Sequence, residues 1–149
     1  AMHSAEAPDK LKMWGFWNIL GDEFFGSEQE NIRPWYYAWS LLCRYMPQGC
    51  SIYETKIKGN PNIKALAVKK DGKTMLAVLN VSKRPQKVTL QGKANLASCK
   101  QYIYAEGRLK TSEEKILEPN NPHLHLNLVK GENIDMPGEA LYIYTDFDF

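Results

Sequence analysis

The aromatic residues of this chain are concentrated near its N-terminus. The sequence has four Trp, eight Tyr and five Phe residues, and ten of these seventeen lie between Trp14 and Tyr45, including every Trp. An aromatic side chain buries about 150–250 Å² when it packs, so this segment needs a large apolar surface against it. That surface belongs to a ligand, to a second protein or to another part of the same protein.

The segment from residue 34 to residue 45 predicts an α-helix with apolar residues on nearly all sides. Pro34 suits a first helical turn because its fixed φ is helical, and Pro47 and Gly49 end the pattern. Only Ser40 and Arg44 interrupt the apolar surface, and they lie on one stripe. A helix of this kind is normally buried all round. The β-domain that the sequence predicts after residue 51 can cover one side of this helix, so we expect a second partner on the other side.

From Ser51 onwards the sequence predicts short strands separated by turns. Asp71-Gly72 favours a two-residue hairpin loop. Seven or eight strands with turns about every 8–12 residues are typical of an antiparallel sandwich or barrel. We therefore predict a mainly β fold: an antiparallel β-sandwich of about 7–8 strands, preceded by a strand, a loop and one aromatic-rich helix. The predicted strands after the helix cover residues 51–58, 63–69, 74–81, 86–90, 98–105, 124–128 and 140–145.

Composition excludes several classes of partner. Nineteen basic and seventeen acidic residues give a net charge of +2, and the lysines are scattered, so we expect no nucleic-acid partner. No apolar run reaches the roughly 18–20 residues of a membrane span, so we expect no membrane partner. The three cysteines cannot all pair within one chain, but a disulfide between Cys43 and Cys50 is possible.

The polar motifs of the chain are incomplete as chemical sites. His123 and His125 fall on one face of a predicted strand, but no third ligand has a suitable spacing. We expect them to face solvent, and we expect neither a metal nor a cofactor. Asn80-Val81-Ser82 is formally an N-glycosylation acceptor, which we interpret as an unmodified strand end.

Several motifs occur in a distinctive order along the chain. Trp14-Gly15-Phe16-Trp17 precedes an acidic loop, then Tyr-x-Trp-Ser-Leu-Leu-x-Arg-Tyr-Met-Pro-x-Gly over residues 37–49, a hairpin ending at 76–82, and a final strand at 136–145. This order resembles the C-terminal end of retaining glycoside hydrolases, which are built on a (β/α)8 barrel followed by a β-sandwich. The resemblance covers nearly all of the chain after residue 10.

The resemblance implies two parts of the chain. Residues 1–48 match the last βα unit of the barrel, with residues 12–20 as its eighth strand and 34–45 as its eighth helix. Residues 49–149 match the sandwich. The resemblance also implies that the protein is secreted or periplasmic. The implied substrate-binding residues are Trp17, Trp14, Asp22 and Glu23, of which Trp17 would stack on a sugar ring; the alternative is that the rings are barrel core. The implied interface residues, which contact either the rest of the barrel or another partner, are Phe24, Phe25, Trp35, Tyr36 and Trp39.

The resemblance does not place a catalytic residue in this chain. Retaining glycosidases use two carboxyl groups about 5–5.5 Å apart, which in these barrels come from the fourth and seventh strands. The fourth strand is not in this sequence, and Glu6 lies too close to Trp14 for a crossover helix to fit between them. We therefore expect no catalytic residue here.

Three functional interpretations remain. The first is a non-catalytic β-sandwich of a glycoside hydrolase, which packs against and supports a catalytic barrel outside this sequence. The second is a carbohydrate-binding module with an exposed tyrosine platform. The third is a free-standing β-domain that uses the aromatic segment as an interface for a homodimer or another protein. Candidate residues for the platform of the second interpretation include Tyr102, Tyr104, Tyr142 and Tyr144, although their alternation is equally expected of a sandwich core.

Overall fold

The computed structural model describes residues 34–114 and 116–148. In this part of the chain one helix is followed by eight strands. The helix is α1 (Pro34–Tyr45), and the strands are β1 (Ser51–Tyr53), β2 (Ile63–Lys70), β3 (Lys73–Asn80), β4 (Gln86–Leu90), β5 (Leu96–Tyr104), β6 (Asn121–Leu126), β7 (Glu132–Met136) and β8 (Ala140–Thr145).

The strands form two antiparallel sheets. Six strands pair in the order β1-β2-β3-β8-β5-β6, and β4 pairs with β7 in a second, two-stranded sheet. The predicted antiparallel sandwich of about 7–8 strands is confirmed. The predicted hairpin loop is confirmed as well, because Asp71 and Gly72 both have positive φ (50° and 78°), as a tight hairpin turn requires.

Helix α1 covers one face of the six-stranded sheet. Side chains on its buried side pack with alternate residues of the central strands, and Leu109 and Leu117 from the loop after β5 complete the layer. The helical residues in this core are Tyr37, Leu41, Leu42 and Tyr45, and the strand residues are Leu66, Val68, Met75, Ala77, Tyr102, Leu141 and Ile143.

The two-stranded sheet covers the opposite face. Leu90 of β4 and Met136 of β7 are buried against it. The residues of the large sheet on this side include Ile63, Val78, Cys99, Tyr142 and Tyr144. Strand β8 lies between the two layers, so all six of its residues are buried although they alternate between faces.

Three strands differ most from the sequence prediction. The strand predicted at 51–58 ends at Tyr53, where the Thr55 hydroxyl donates to the Ala65 carbonyl (2.7 Å) in place of a backbone N–H. Strand β7 was not predicted, although its Ile134 and Met136 alternate with polar residues. Strand β6 begins at Asn121, before the predicted start, and includes Pro122. This proline is tolerated because β6 is an edge strand.

Candidate functional site

Most of the residues predicted to bind substrate or a barrel lie outside the described part of the chain. These are Trp14, Trp17, Asp22, Glu23, Phe24 and Phe25. Trp35 and Tyr36 belong to α1, but their side chains are also outside what the structure describes. The roles given to these eight residues stay predictions. Trp39 is the one member of the predicted set whose side chain is described.

Helix α1 has a buried side and an outer side. Tyr37, Leu41 and Tyr45 repeat every four residues and form the buried stripe. Trp39 and Cys43 are also four residues apart and lie on the opposite side, where Trp39 is half-buried and Cys43 is exposed. We call the surface of Trp39, Ser40 and Cys43 the outer side of α1. The Ser40 hydroxyl donates to the Tyr37 carbonyl (2.9 Å), so its hydrogen bond is made within the helix. The other side chains of the outer side are the Trp39 ring and the Cys43 thiol.

A buried pair of tyrosines fixes α1 to the sheet. The hydroxyl oxygens of Tyr45 and Tyr102 are 2.7 Å apart, and either can be the donor. Their rings are tilted at 43° with centroids 5.6 Å apart. Burial first, and then the hydrogen bond with Tyr102, raises the pKa of Tyr45 above its ordinary value, against an opposing effect of Arg44. The helix is therefore held in one position by a specific polar contact as well as by apolar packing.

The loop after β5 supports the same face beside the helix. Asn120 accepts a hydrogen bond from the Ile103 backbone N–H (2.7 Å), and its amide donates to the Arg108 carbonyl (2.9 Å). This ties the start and the end of the loop together. Leu109 and Leu117 then lie against the core under α1. The described residues thus close the face of the sheet that carries α1 on the inside, and the outer side of the helix faces away from the sheet.

The tyrosine platform of the carbohydrate-binding interpretation is wrong. Tyr102, Tyr142 and Tyr144 are buried and Tyr104 is partly buried in the helix-side core. Successive residues of a strand point to opposite faces, and both faces of this sheet are covered. Tyr102 and Tyr104 therefore pack under α1, while Tyr142 and Tyr144 pack under the two-stranded sheet. None of the four presents a ring to a sugar.

An exposed apolar edge on β1 and the segment after it was not predicted from the sequence. Ile52, Tyr53 and Ile57 are 47%, 50% and 41% exposed, and we call them the edge patch. Lys69 Nζ lies 5.9 Å from the centroid of the Tyr53 ring. Residues 51–58 are predicted as a strand, but β1 is at the end of the sheet and all three of its residues are exposed. The signal available was the short, Lys-rich stretch before Gly59, which is typical of an edge.

The ionisable side chains of the described residues serve structural roles or face solvent. Cys43, Cys50 and Cys99 are free thiols, and burial, followed by the charge of Asp146, raises the pKa of Cys99 to about 11. His123 and His125 are exposed on β6, as expected. The described ranges contain no group of three or more His, Cys, Asp or Glu residues that could hold a metal ion.

Several carboxylates also have structural bonds. Asp146 accepts from the Thr74 backbone N–H, and Asp148 pairs with Lys73 at 2.8 Å. Glu132 accepts from the Asn127 backbone N–H at 3.1 Å.

Within residues 34–114 and 116–148, no helix is long and apolar enough to cross a membrane.

The fold is similar to parts of two solved enzymes. A GH30 endoxylanase from Clostridium papyrosolvens C71 matches with a TM-score of 0.59 and 12% identity, over 81% of this chain and 29% of its own. A glycoside hydrolase family 30 subfamily 8 xylanase from Clostridium acetobutylicum matches with a TM-score of 0.63 and 12% identity, over 85% and 32%. No protein-family model and no curated protein matches the sequence. The chain thus spans about a third of the length of these two xylanases and shares the fold of that part of them.

Proposed function

We propose that this chain is the non-catalytic β-sandwich end of a glycoside hydrolase, and that it packs against and supports a catalytic (β/α)8 barrel. The outer side of α1 is the surface that contacts the barrel. Catalysis and sugar specificity then belong to barrel strands and loops outside this sequence, which makes the chain a structural domain of an enzyme.

The similarity to the two xylanases carries this proposal. Each covers more than four fifths of this chain but less than a third of its own length, as expected for one domain of a larger enzyme. The sequence motifs point to the same class of protein, because they resemble the junction of the last barrel unit with the sandwich.

The two sides of α1 support the location of the interface. The buried side is fully used by the sandwich, through Leu41 and the Tyr45–Tyr102 pair. The outer side carries Trp39 and Cys43 where a solvent-facing helix normally carries charged residues. A second packed layer on that side would account for this composition.

The edge patch favours a second candidate, a β-domain that associates with another protein. Ile52, Tyr53 and Ile57 give three exposed apolar side chains within six residues of an edge segment. A strand at the edge of a sheet is a common site of association, because it presents unpaired backbone groups to a partner. In this candidate the partner binds through β1, and the outer side of α1 need not contact a barrel.

The test begins with the coding sequence of the source genome. We expect the reading frame on the 5′ side of Ala1 to encode a (β/α)8 barrel, and the protein made from the whole frame to hydrolyse glycosidic bonds. In that protein Cys43→Lys places a charge in the proposed interface. A lysine suits the last turn of a helix, so a loss cannot arise from the helix dipole. Val129→Lys, at an exposed residue of the loop after β6, is the matched control.

We expect Cys43→Lys to lower the temperature of inactivation and Val129→Lys to leave it unchanged, with the KM of both unaltered at low temperature. The proposal is wrong if no barrel is encoded in frame, or if both variants inactivate at the same temperature. A loss caused instead by Tyr53→Lys alone would favour the association candidate.

A further inference from the structure

The side chain of Asn80 is fully buried at the end of β3, although the motif Asn80-Val81-Ser82 is a formal glycosylation acceptor. Its amide nitrogen donates to the carbonyls of Arg84 (2.9 Å) and Pro137 (2.8 Å). Its amide oxygen accepts from the Ser82 backbone N–H (3.0 Å) and from the Ser82 hydroxyl (2.8 Å). Both hydrogens and both acceptor positions of the amide are therefore in use.

The backbone around this amide is closely packed. The Glu139 N–H donates to the Ser82 carbonyl (2.8 Å), and a Cβ on Gly138 would clash with the Lys83 carbonyl oxygen. Two segments, 80–86 and 137–139, thus lie backbone to backbone, and we call them together the Asn80 corner.

The Asn80 corner contains two of the connections between the sheets. The chain passes through it from β3 to β4 and again from β7 to β8. The amide of Asn80 joins these two connections through Arg84 and Pro137. The corner therefore holds the two-stranded sheet on the large sheet, over the core that contains Leu90 and Met136.

We infer that N-glycosylation of Asn80 and the folded sandwich exclude one another. A glycan replaces one amide hydrogen of Asn80 and needs an open path to solvent from that nitrogen. In the fold that nitrogen faces two carbonyl oxygens inside the corner. An oligosaccharide can be attached there only before the corner closes, and once attached it prevents the β4–β7 sheet from docking. This inference does not depend on the proposed function.

The first experiment passes the chain through the secretory pathway of a glycosylating host. The secreted protein is analysed by mass spectrometry with and without an endoglycosidase. Lys64→Thr is the positive control, because it makes the exposed Asn62 an acceptor on the same molecule. Ser82→Ala removes the acceptor at Asn80 and keeps the two bonds donated by its amide.

We expect the secreted, protease-resistant protein to be unmodified at Asn80, while the control variant carries a glycan at Asn62. If the glycan is added during synthesis, it is found only in the retained, protease-sensitive fraction, and Ser82→Ala raises the secreted yield. A glycan on Asn80 in secreted protein that melts at the temperature of the unmodified chain overturns the inference.

The second experiment uses protein without any glycan. Asn80→Asp replaces a donor with an acceptor that faces the Arg84 and Pro137 carbonyls, whereas Asn62→Asp makes the same change on the surface. We expect Asn80→Asp to lower the Tm by about 5 °C or more and Asn62→Asp to leave it unchanged. Equal Tm values for the two variants would show that the amide bonds of Asn80 do not hold the corner and would overturn the inference.

Discussion

The two faces of the six-stranded sheet are covered in different ways. The two-stranded sheet is fixed to its face by the Asn80 corner, where backbone groups of two connections meet. Helix α1 is fixed to the other face by side chains, through Leu41 and the Tyr45–Tyr102 pair. The first cover belongs entirely to the sandwich. The second has an outer side with Trp39 and Cys43, which is why we assign the contact with a barrel to the helix face.

The largest effect is expected from a cavity under the helix. Leu41 is fully buried between α1 and the sheet, so Leu41→Ala removes packed methyl groups and should lower the free energy of unfolding by about 2–5 kcal/mol. Cys43→Ala, on the outer side of the same helix, should change it by less than about 0.5 kcal/mol. Chemical denaturation measures both. Similar losses for the two variants would mean that the helix has no distinct outer side in the isolated chain.

The next effect tests the backbone contact that fixes the other cover. A Cβ at Gly138 would clash with the Lys83 carbonyl oxygen, and backbone cannot move aside as a side chain does. We expect Gly138→Ala to cost about 1–3 kcal/mol. Gly92→Ala is the control, because its Cβ would lie 3.4 Å from the nearest atom, a side-chain carbon of Leu128. A Gly138→Ala variant as stable as the Gly92→Ala variant would contradict the closed corner.

The tyrosine pair gives an effect of comparable size that differs between its two members. Tyr45→Phe removes the hydrogen-bond partner of the buried Tyr102 hydroxyl, which should cost about 1–3 kcal/mol. Tyr102→Phe should cost less, because the Tyr45 hydroxyl also interacts with Arg44. Thermal melts of the two variants and of the double variant measure the difference. A larger loss for Tyr102→Phe would reverse our interpretation of which hydroxyl depends on the pair.

The smallest effect is expected from the exposed pair of Lys73 and Asp148. The hydrogen bond and then the charge of Lys73 lower the pKa of Asp148 below its ordinary value. A carboxyl whose pKa is lower in the folded state adds stability above its unfolded pKa and loses it as the pH falls through the folded value. We therefore expect Asp148→Asn to lower the Tm slightly at neutral pH and to leave it unchanged below the folded pKa of Asp148, so that the acid limb of the Tm–pH profile is slightly flatter. A steeper acid limb in the variant would contradict this assignment.

The sequence predicted the elements well where the signal is local. Asp71-Gly72 specified its hairpin, and β4 and β8 begin and end where predicted, because turn residues and apolar runs act over a few residues. The face of each strand was less predictable. The alternation at Tyr142 and Tyr144 fits a sugar platform as well as a core, and only the pairing with a second sheet decides between them.

The candidate site was harder to predict for the same reason. The apolar sequence of α1 predicts that the helix is buried, but it does not show which side of the helix faces the sandwich. That choice depends on the Tyr102 hydroxyl and the apolar rows of β8 and β5, which lie about sixty to a hundred residues further along the chain. The edge patch was not predicted because a strand at the edge of a sheet has the same alternating sequence pattern as a strand in its middle.

The most direct test of the central claim is the solution mass of the isolated chain, measured by light scattering over a concentration series with a dye that reports apolar surface. We predict a monomer at every concentration that binds the dye strongly, with weaker dye binding in Cys43→Lys than in Val129→Lys. A tight dimer with little dye binding, unaffected by Cys43→Lys, would contradict a surface made for a barrel. That result would identify this protein as a free-standing β-domain that associates with a copy of itself.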